Sequence, residues 1–198
     1  LHQDAYGKDI GEDGAPLWAI HPPPTELLEG PLTSEEMADR RSSSQVLAAF
    51  ASLYQNATLA SGQPVRDAYA AMAAQLAASL ADHPGAVALE LQNEPVVFGD
   101  QAILDAFHDA ITEAVREVAP NLPVVFEPDA LRNFTDASPM DVPFPWDQAI
   151  YGPHIYTDVF EDGWASEDTA AIEASIDRAA EEARFHNAHL FVGEFGHD

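Results

Sequence analysis

Leu89-Glu90-Leu91-Gln92-Asn93-Glu94-Pro95 sets an apolar run against an abrupt polar stop. Ala86 to Leu91 has the length and character of a short buried strand. It ends on an amide and a carboxylate side by side, and Pro95 cannot donate to a further rung. The same shape recurs downstream. Val124-Val125-Phe126 closes on Glu127-Pro128. A strand beginning at Ala149 to Tyr151 runs on to His154 and Tyr156. Leu190-Phe191-Val192 closes on Gly193-Glu194-Phe195.

Between these strands the period changes to that of a helix. Asp100 to Val118 places Ile103, Phe107, Ile111 and Val115 on one face, and Pro120 ends it. Ser166 to His186 is amphipathic, with a Ser-x-x-Asp start. Upstream, Gln45 to Leu59 and the Ala-rich Val65 to Ala81 read as helices, the second stopped by His83-Pro84-Gly85. Thr33-Ser34-Glu35-Glu36 is a capping signal. Leu1 to Trp18, His21-Pro22-Pro23-Pro24 and Ser138 to Trp146 read as loops or stiff connectors. Short strands alternating with long helices, without a hairpin signal, predict βαβ units and a parallel sheet. In a (β/α)₈ TIM barrel every strand's carboxyl end opens on one mouth. A doubly wound sheet also binds ligands at strand ends, but it usually carries a Gly-rich phosphate turn, and the sequence has none.

Composition narrows the partners. The chain has 198 residues, 46% of them hydrophobic, which suits a single core and one domain over 1–198. It contains no cysteine, so disulfides and thiolate metal sites are excluded. No apolar run is long enough to span a bilayer. Asp and Glu number 34 against 8 Lys and Arg, for a net charge of −26. Such a surface repels nucleic acid and anionic membranes. It is either a solvated acidic face or an adaptation to high salt. Asn56-Ala57-Thr58 and Asn133-Phe134-Thr135 are glycosylation sequons.

Two carboxylates on rigid strand tips, with a His and a Tyr from a strand between, suit glycoside hydrolysis. One carboxylic acid protonates the leaving oxygen, and one carboxylate attacks the anomeric carbon or activates water. Acidic strand ends also bind metals, so a metal-dependent hydrolase using His2, Asp4, His154 and carboxylates stays open. His186-Asn187-Ala188-His189 has a suggestive metal spacing, but it sits at a helix end, where His commonly meets terminal carbonyls.

Leu91-Gln92-Asn93-Glu94-Pro95 resembles the motif ending the fourth strand of clan A glycoside hydrolases, family five in particular. Gly193-Glu194-Phe195-Gly196 is similar to that family's seventh-strand nucleophile motif, and His154-Ile155-Tyr156 to its His-x-Tyr after the sixth strand. His2-Gln3-Asp4 and Gly14-Ala15-Pro16-Leu17-Trp18 resemble the endoglycosylceramidase-like members, as do Asp67-Ala68-Tyr69 and Phe126-Glu127-Pro128. The resemblance implies Glu94 as general acid/base and Glu194 as nucleophile. It implies Asn93 on the sugar 2-hydroxyl, Tyr156 donating to Glu194, and His154 orienting the acid/base or touching sugar. His2, with Gln3 and Asp4 nearby, would line the glycone subsite, and Trp18 or Trp146 would stack on a sugar face. Glu127 would be a supporting carboxylate. The implied activity is a retaining β-glycosidase without cofactor or metal, acting outside the cell on a carbohydrate or glycolipid. A glycosphingolipid-like β-glucoside is the first substrate, with Tyr6 to Pro31 and Ser138 to Trp146 forming an apolar aglycone groove. A cellulase- or mannanase-like β-glycanase and an inactive carbohydrate-binding remnant are the alternatives.

The barrel is expected to be incomplete. A full one takes about 250 residues, and the motifs here run from about the third strand to the seventh. The family's early Arg and late Trp have no counterpart. Flanking chain is expected to supply the remaining strands.

Overall fold

A computed structural model describes residues 6–7, 9–11, 14–27, 33–136, 138–156 and 169–195. The sheet contains β1 (Leu89–Glu90), β2 (Val124–Phe126), β3 (Ala149–Tyr151) and β4 (His189–Leu190). They lie in the order β1-β2-β3-β4, every pair parallel. Sequential parallel neighbours form an arc of a barrel, whereas a doubly wound sheet reverses its strand order at a switch point. The architecture is that of an incomplete (β/α)₈ barrel.

Strand β2 matches its apolar run, whereas β1 and β3 are shorter than the expected strands. Leu89 and Leu91 still receive rungs from β2, their N–H groups donating to Pro123 and Val125 carbonyls over 2.9 Å each. On the far side, the expected strand from Leu190 to Val192 lies one residue earlier. Phe191 N–H donates to Tyr151 O at 2.9 Å; beyond it the ladder misses one rung and resumes with Gly193 N–H donating to Pro153 O at 3.2 Å. The neighbouring strand has reached Pro153, which has no N–H to offer.

The helices are α1 (Ser34–Arg41), α2 (Ser44–Tyr54), α3 (Val65–Leu80), α4 (Gln101–Val118), α5 (Arg132–Thr135) and α6 (Thr169–Phe185). The capping box before α1 forms: Thr33 Oγ1 accepts from Glu36 N–H, and Glu36 Oε2 accepts from Thr33 N–H. Helix α2 ends at Tyr54, short of the expected Leu59. Asn56 takes a left-handed conformation (φ 55°), which Asn tolerates better than most residues. Its side chain is then occupied on both ends, donating to Asp67 Oδ1 and accepting from Arg66 N–H. The expected cap at Ser166 lies outside the described residues.

Helix α4 shows why the sheet and helix layers hold together. Leu104, Phe107, Ile111 and Val115 recur at helical spacing and are fully buried. They join Leu91, Val124 and Phe126 in one core. Each such side chain contributes about 1.5–3 kcal/mol by leaving water. Tyr54 and Tyr69 both pack on the Phe107 ring, tying α2 and α3 to α4. Phe50, Leu53 and Tyr54 are core. Among the described residues no helix is long and apolar enough to cross a membrane.

Candidate active site

The polar ends of β1, β2 and β3, and the segment after β4, converge. Glu94 follows β1 with φ at 46°, a region sparsely used by residues with a Cβ. Its backbone is pinned there: Glu94 N–H donates to Glu127 Oε2 over 3.0 Å. The loop that follows is stitched to the one after β2, through Ala130 N–H to Pro95 O and Gly99 N–H to Asp129 Oδ2, both 2.7 Å. Beyond β3, Ile155 bridges Phe195 in parallel and its N–H donates to Glu194 O. That rung sets Glu194 opposite Tyr156, and the Tyr156 hydroxyl donates to Glu194 Oε2 at 2.8 Å.

His154 stands between the two carboxylates. Its Nδ1 lies 2.8 Å from Glu94 Oε1 and 3.6 Å from Glu194 Oε2. We assign the ring hydrogen to Nδ1, because it faces oxygens of both Glu94 and Glu194 whereas Nε2 faces Glu127 alone. The other nitrogen, Nε2, lies 3.5 Å from Glu127 Oε1. Gly193 makes room for the ring: a Cβ there would come within 3.0 Å of His154 Nε2. One oxygen each of Glu94 and Glu194 and a ring nitrogen of His154 lie within 4.8 Å of one another. This cluster has the donor types of a cation site, but exposed acidic groups often gather without one.

Burial and like charge separate the carboxyls. Burial, a hydrogen bond with Glu90 and the Glu90 charge push Glu127 up to about 11. Glu127 is therefore a neutral carboxylic acid across the neutral range. Burial and the Glu194 hydrogen bond and charge push the Tyr156 hydroxyl up to about 12, so it stays a donor. Glu94 is the better covered of the strand-tip pair, with 19% of its side chain exposed against 41% for Glu194.

Of the expected site residues, Glu94, His154, Tyr156 and Glu194 meet. Asn93 is beside them, and its Nδ2 is buried with no hydrogen-bond partner among the described residues. His2, Gln3 and Asp4 lie outside the described residues. Trp18 is 62% exposed and lines a cavity of about 360 Å³ with Tyr6, Leu53, Tyr69 and Met72, a hollow to which none of the meeting residues contributes. Trp146 is fastened away from the cluster, its indole N–H donating to Asp109 on α4. The segment around it lines a second cavity of about 360 Å³ against α4, with Phe126, Phe144 and Glu127. His186 and His189 do not form a pair: His186 is buried and accepts from Phe144 N–H, while His189 is exposed in β4.

Two contributors escaped sequence reasoning. Asn133 reads as a glycosylation sequon, yet it is 1% exposed and its Nδ2 donates to Glu94 Oε1 at 3.1 Å. A buried, bonded amide has no room for a glycan, which overturns that reading. Arg132 beside it is completely buried. Its one sequence signal was rarity, since a guanidinium is uncommon in so acidic a chain.

Residues 44–198 match the cellulase family, glycosyl hydrolase family 5. The fold is similar to endo-glycoceramidase II from Rhodococcus sp. solved with a cellobiose-like imidazole: 27% identity, TM-score 0.78, covering 100% of this chain and 48% of that one. It is also similar to an endogalactoceramidase, at 26% identity and TM-score 0.70, over 93% of this chain and 40% of that one. The Rhodococcus enzyme in complex with a cellobiose-like isofagomine gives 25% identity and TM-score 0.70, over 94% and 44%. The chain thus spans under half the length of these structures. No curated protein sequence matches it.

Proposed function

The chain belongs to the cellulase family, glycosyl hydrolase family 5, and from that premise we propose that it hydrolyses β-glycosidic bonds by double displacement. The observation that carries this reading is the approach of Glu94 and Glu194 to within 4.8 Å, oxygen to oxygen, from strand tips far apart in sequence. Retaining enzymes hold their carboxyl groups about 5–5.5 Å apart, and inverting ones about 6.5–9.5 Å, to admit a water between. The short approach supports the first.

Glu94 is the acid/base. It is the more covered carboxyl and faces the Glu194 charge, both of which favour its protonated form. Glu194 is the nucleophile, held as an acceptor by the Tyr156 hydroxyl. In the first step Glu194 bonds to the anomeric carbon while that carbon's bond to the leaving oxygen breaks. The proton of Glu94 goes to that oxygen. In the second, Glu94 takes a proton from water, whose oxygen displaces Glu194. The Nδ2 of Asn93, without a partner among the described residues, is a donor suited to the sugar 2-hydroxyl.

For substrate, a glycosphingolipid-like β-glucoside cleaved in endo fashion is the first reading, resting on the likeness to endo-glycoceramidase II and endogalactoceramidase. A β-glucan is the second, resting on the cellulase family match. A panel of glycolipids and glucans separates them. The mechanism is tested with a 2-deoxy-2-fluoro β-glucoside carrying a dinitrophenyl leaving group. A covalent sugar on the peptide containing Glu194, absent in Glu194→Ala, is expected. Glu94→Gln should lose about 10²–10⁴-fold on glycosides with poor leaving groups. Turnover without any trapped glycosyl-enzyme, or a label on another residue, would sink the reading.

A further inference from the structure

We propose that Asn133, held in place by Arg132, is a positioning residue that determines which oxygen of Glu94 carries the catalytic proton. The inference rests on the double-displacement reading above and deepens it.

With the His154 hydrogen assigned to Nδ1, Glu94 Oε1 meets two N–H donors. Asn133 Nδ2 reaches it at 3.1 Å and His154 Nδ1 at 2.8 Å. A carboxyl oxygen has two lone pairs, and two N–H bonds use both. Oε1 therefore cannot hold the acid's proton, which goes to Oε2. An acid free to carry its proton on either oxygen would spend part of its time with it turned away from the substrate. With both lone pairs of Oε1 occupied, the proton has one address.

The donors are themselves fixed by one buried cation. Arg132 is 0% exposed and lies on α5, next to Asn133. Its Nε donates to Glu182 Oε2 at 3.0 Å and its Nη2 to Ser175 O at 3.1 Å, both on α6. Its Nη1 donates to the backbone carbonyl of His154 at 3.4 Å. Arg132 thus anchors the backbone that carries Asn133 and the backbone that carries His154. Asn133 O also accepts from Tyr156 N–H at 3.3 Å. The unit that places the donors on Glu94 is therefore tied to the residue that holds Glu194.

Asn133 has a second effect. An amide donor favours the ionised carboxylate. It stabilises the charge that Glu94 develops as it gives up its proton. Removing the donor should raise the Glu94 pKa and move the alkaline limb of kcat/KM to higher pH.

The test compares wild type, Asn133→Ala and the isosteric Asn133→Asp on two β-glucosides, one with an alkyl and one with a dinitrophenyl leaving group. The dinitrophenyl group needs little protonation, so an acid-positioning defect hardly touches it. In Asn133→Ala, activity on the alkyl glucoside should fall about tenfold or more while the dinitrophenyl rate changes little. The alkaline limb should move up by about one pH unit, and further in Asn133→Asp, where two carboxyls compete for one proton. Should Asn133→Ala unfold, Asn133→Asp decides alone. Equal losses on both glucosides, or an unmoved alkaline limb in folded variants, would overturn the proposal. The fluoroglucoside separates the two levels. Wild type labelled on Glu194 with unaltered Asn133 variants sinks this inference alone; wild type unlabelled sinks the reading beneath it as well.

Discussion

Glu127 reads in the sequence as a supporting carboxylate, and the structure shows what it supports. Pushed up to about 11 by burial and Glu90, it is neutral across the neutral range. Its work is to accept the Glu94 N–H and hold that backbone at positive φ. A neutral acid can be replaced by an amide of the same shape, so Glu127→Gln should keep most activity. Glu127→Ala should not, because it leaves the Glu94 N–H without its acceptor, at about 1–3 kcal/mol. The pH dependence has a definite sign. The folded protein holds a proton on Glu127 that the unfolded chain releases above the ordinary carboxylate range. Wild-type stability from this group is full at low pH and falls as pH rises toward 11. Glu127→Gln escapes that loss, so its Tm relative to wild type should climb from pH 5 to pH 9. A constant or shrinking difference would mean that Glu127 is ionised. Residues of this kind mark the limit of what the sequence revealed. Glu94, His154, Tyr156 and Glu194 were legible because each follows an apolar strand, and strand ends share one mouth. Asn133 was not, because its value lies in a bond to Glu94 across 39 positions, which no local pattern encodes.

Among the elements, the strands were legible in place and order as short apolar runs, and α4 nearly to its ends, since period-3.6 burial is a local signal. Helix α5 was not. Four residues are too few for a period, and its stability comes from contacts made elsewhere. Those contacts form a buried ionic knot. Arg132 reaches Glu182 at 3.0 Å and Asp136 at 3.7 Å, and Tyr151 donates to the same Glu182 oxygen at 2.8 Å. The knot joins α5, β3 and α6 behind the site. Its members are buried too deeply for water to replace a lost partner. Arg132→Met should therefore cost about 3–5 kcal/mol, as removal of one partner from a buried pair does. Urea unfolding of the two proteins measures it directly. A loss below about 1 kcal/mol would show that solvent reaches the knot, and the rigidity ascribed to Arg132 would go with it.

At the scale of the whole molecule two forces oppose each other. Strands β1 and β4 are the sheet's edges among the described residues. The exposed apolar side chains include Met72 and Leu76 on α3, Val87 just before β1, Ile172 and Ile176 on α6, and Phe191 and Phe195 after β4. Phe195 is 79% exposed although its backbone pairs with Ile155. Where no flanking strand covers them, such edges and apolar patches invite a second copy. Against that stands a net charge of −26, which repels a second copy. Ionic strength decides between them. At about 0.01 M salt the screening length is about 30 Å, long enough for the whole surface to repel; at 1 M it is about 3 Å, and the apolar contact is left unopposed. The chain should sediment as a monomer in dilute buffer and associate, more at higher protein concentration, as NaCl approaches 1 M. Lysine at Phe191 or Phe195 should reduce that association without altering the dilute-buffer monomer. A monomer at every salt concentration would mean the edges are not adhesive, and association that weakens with salt would mean that charge holds copies together rather than apart.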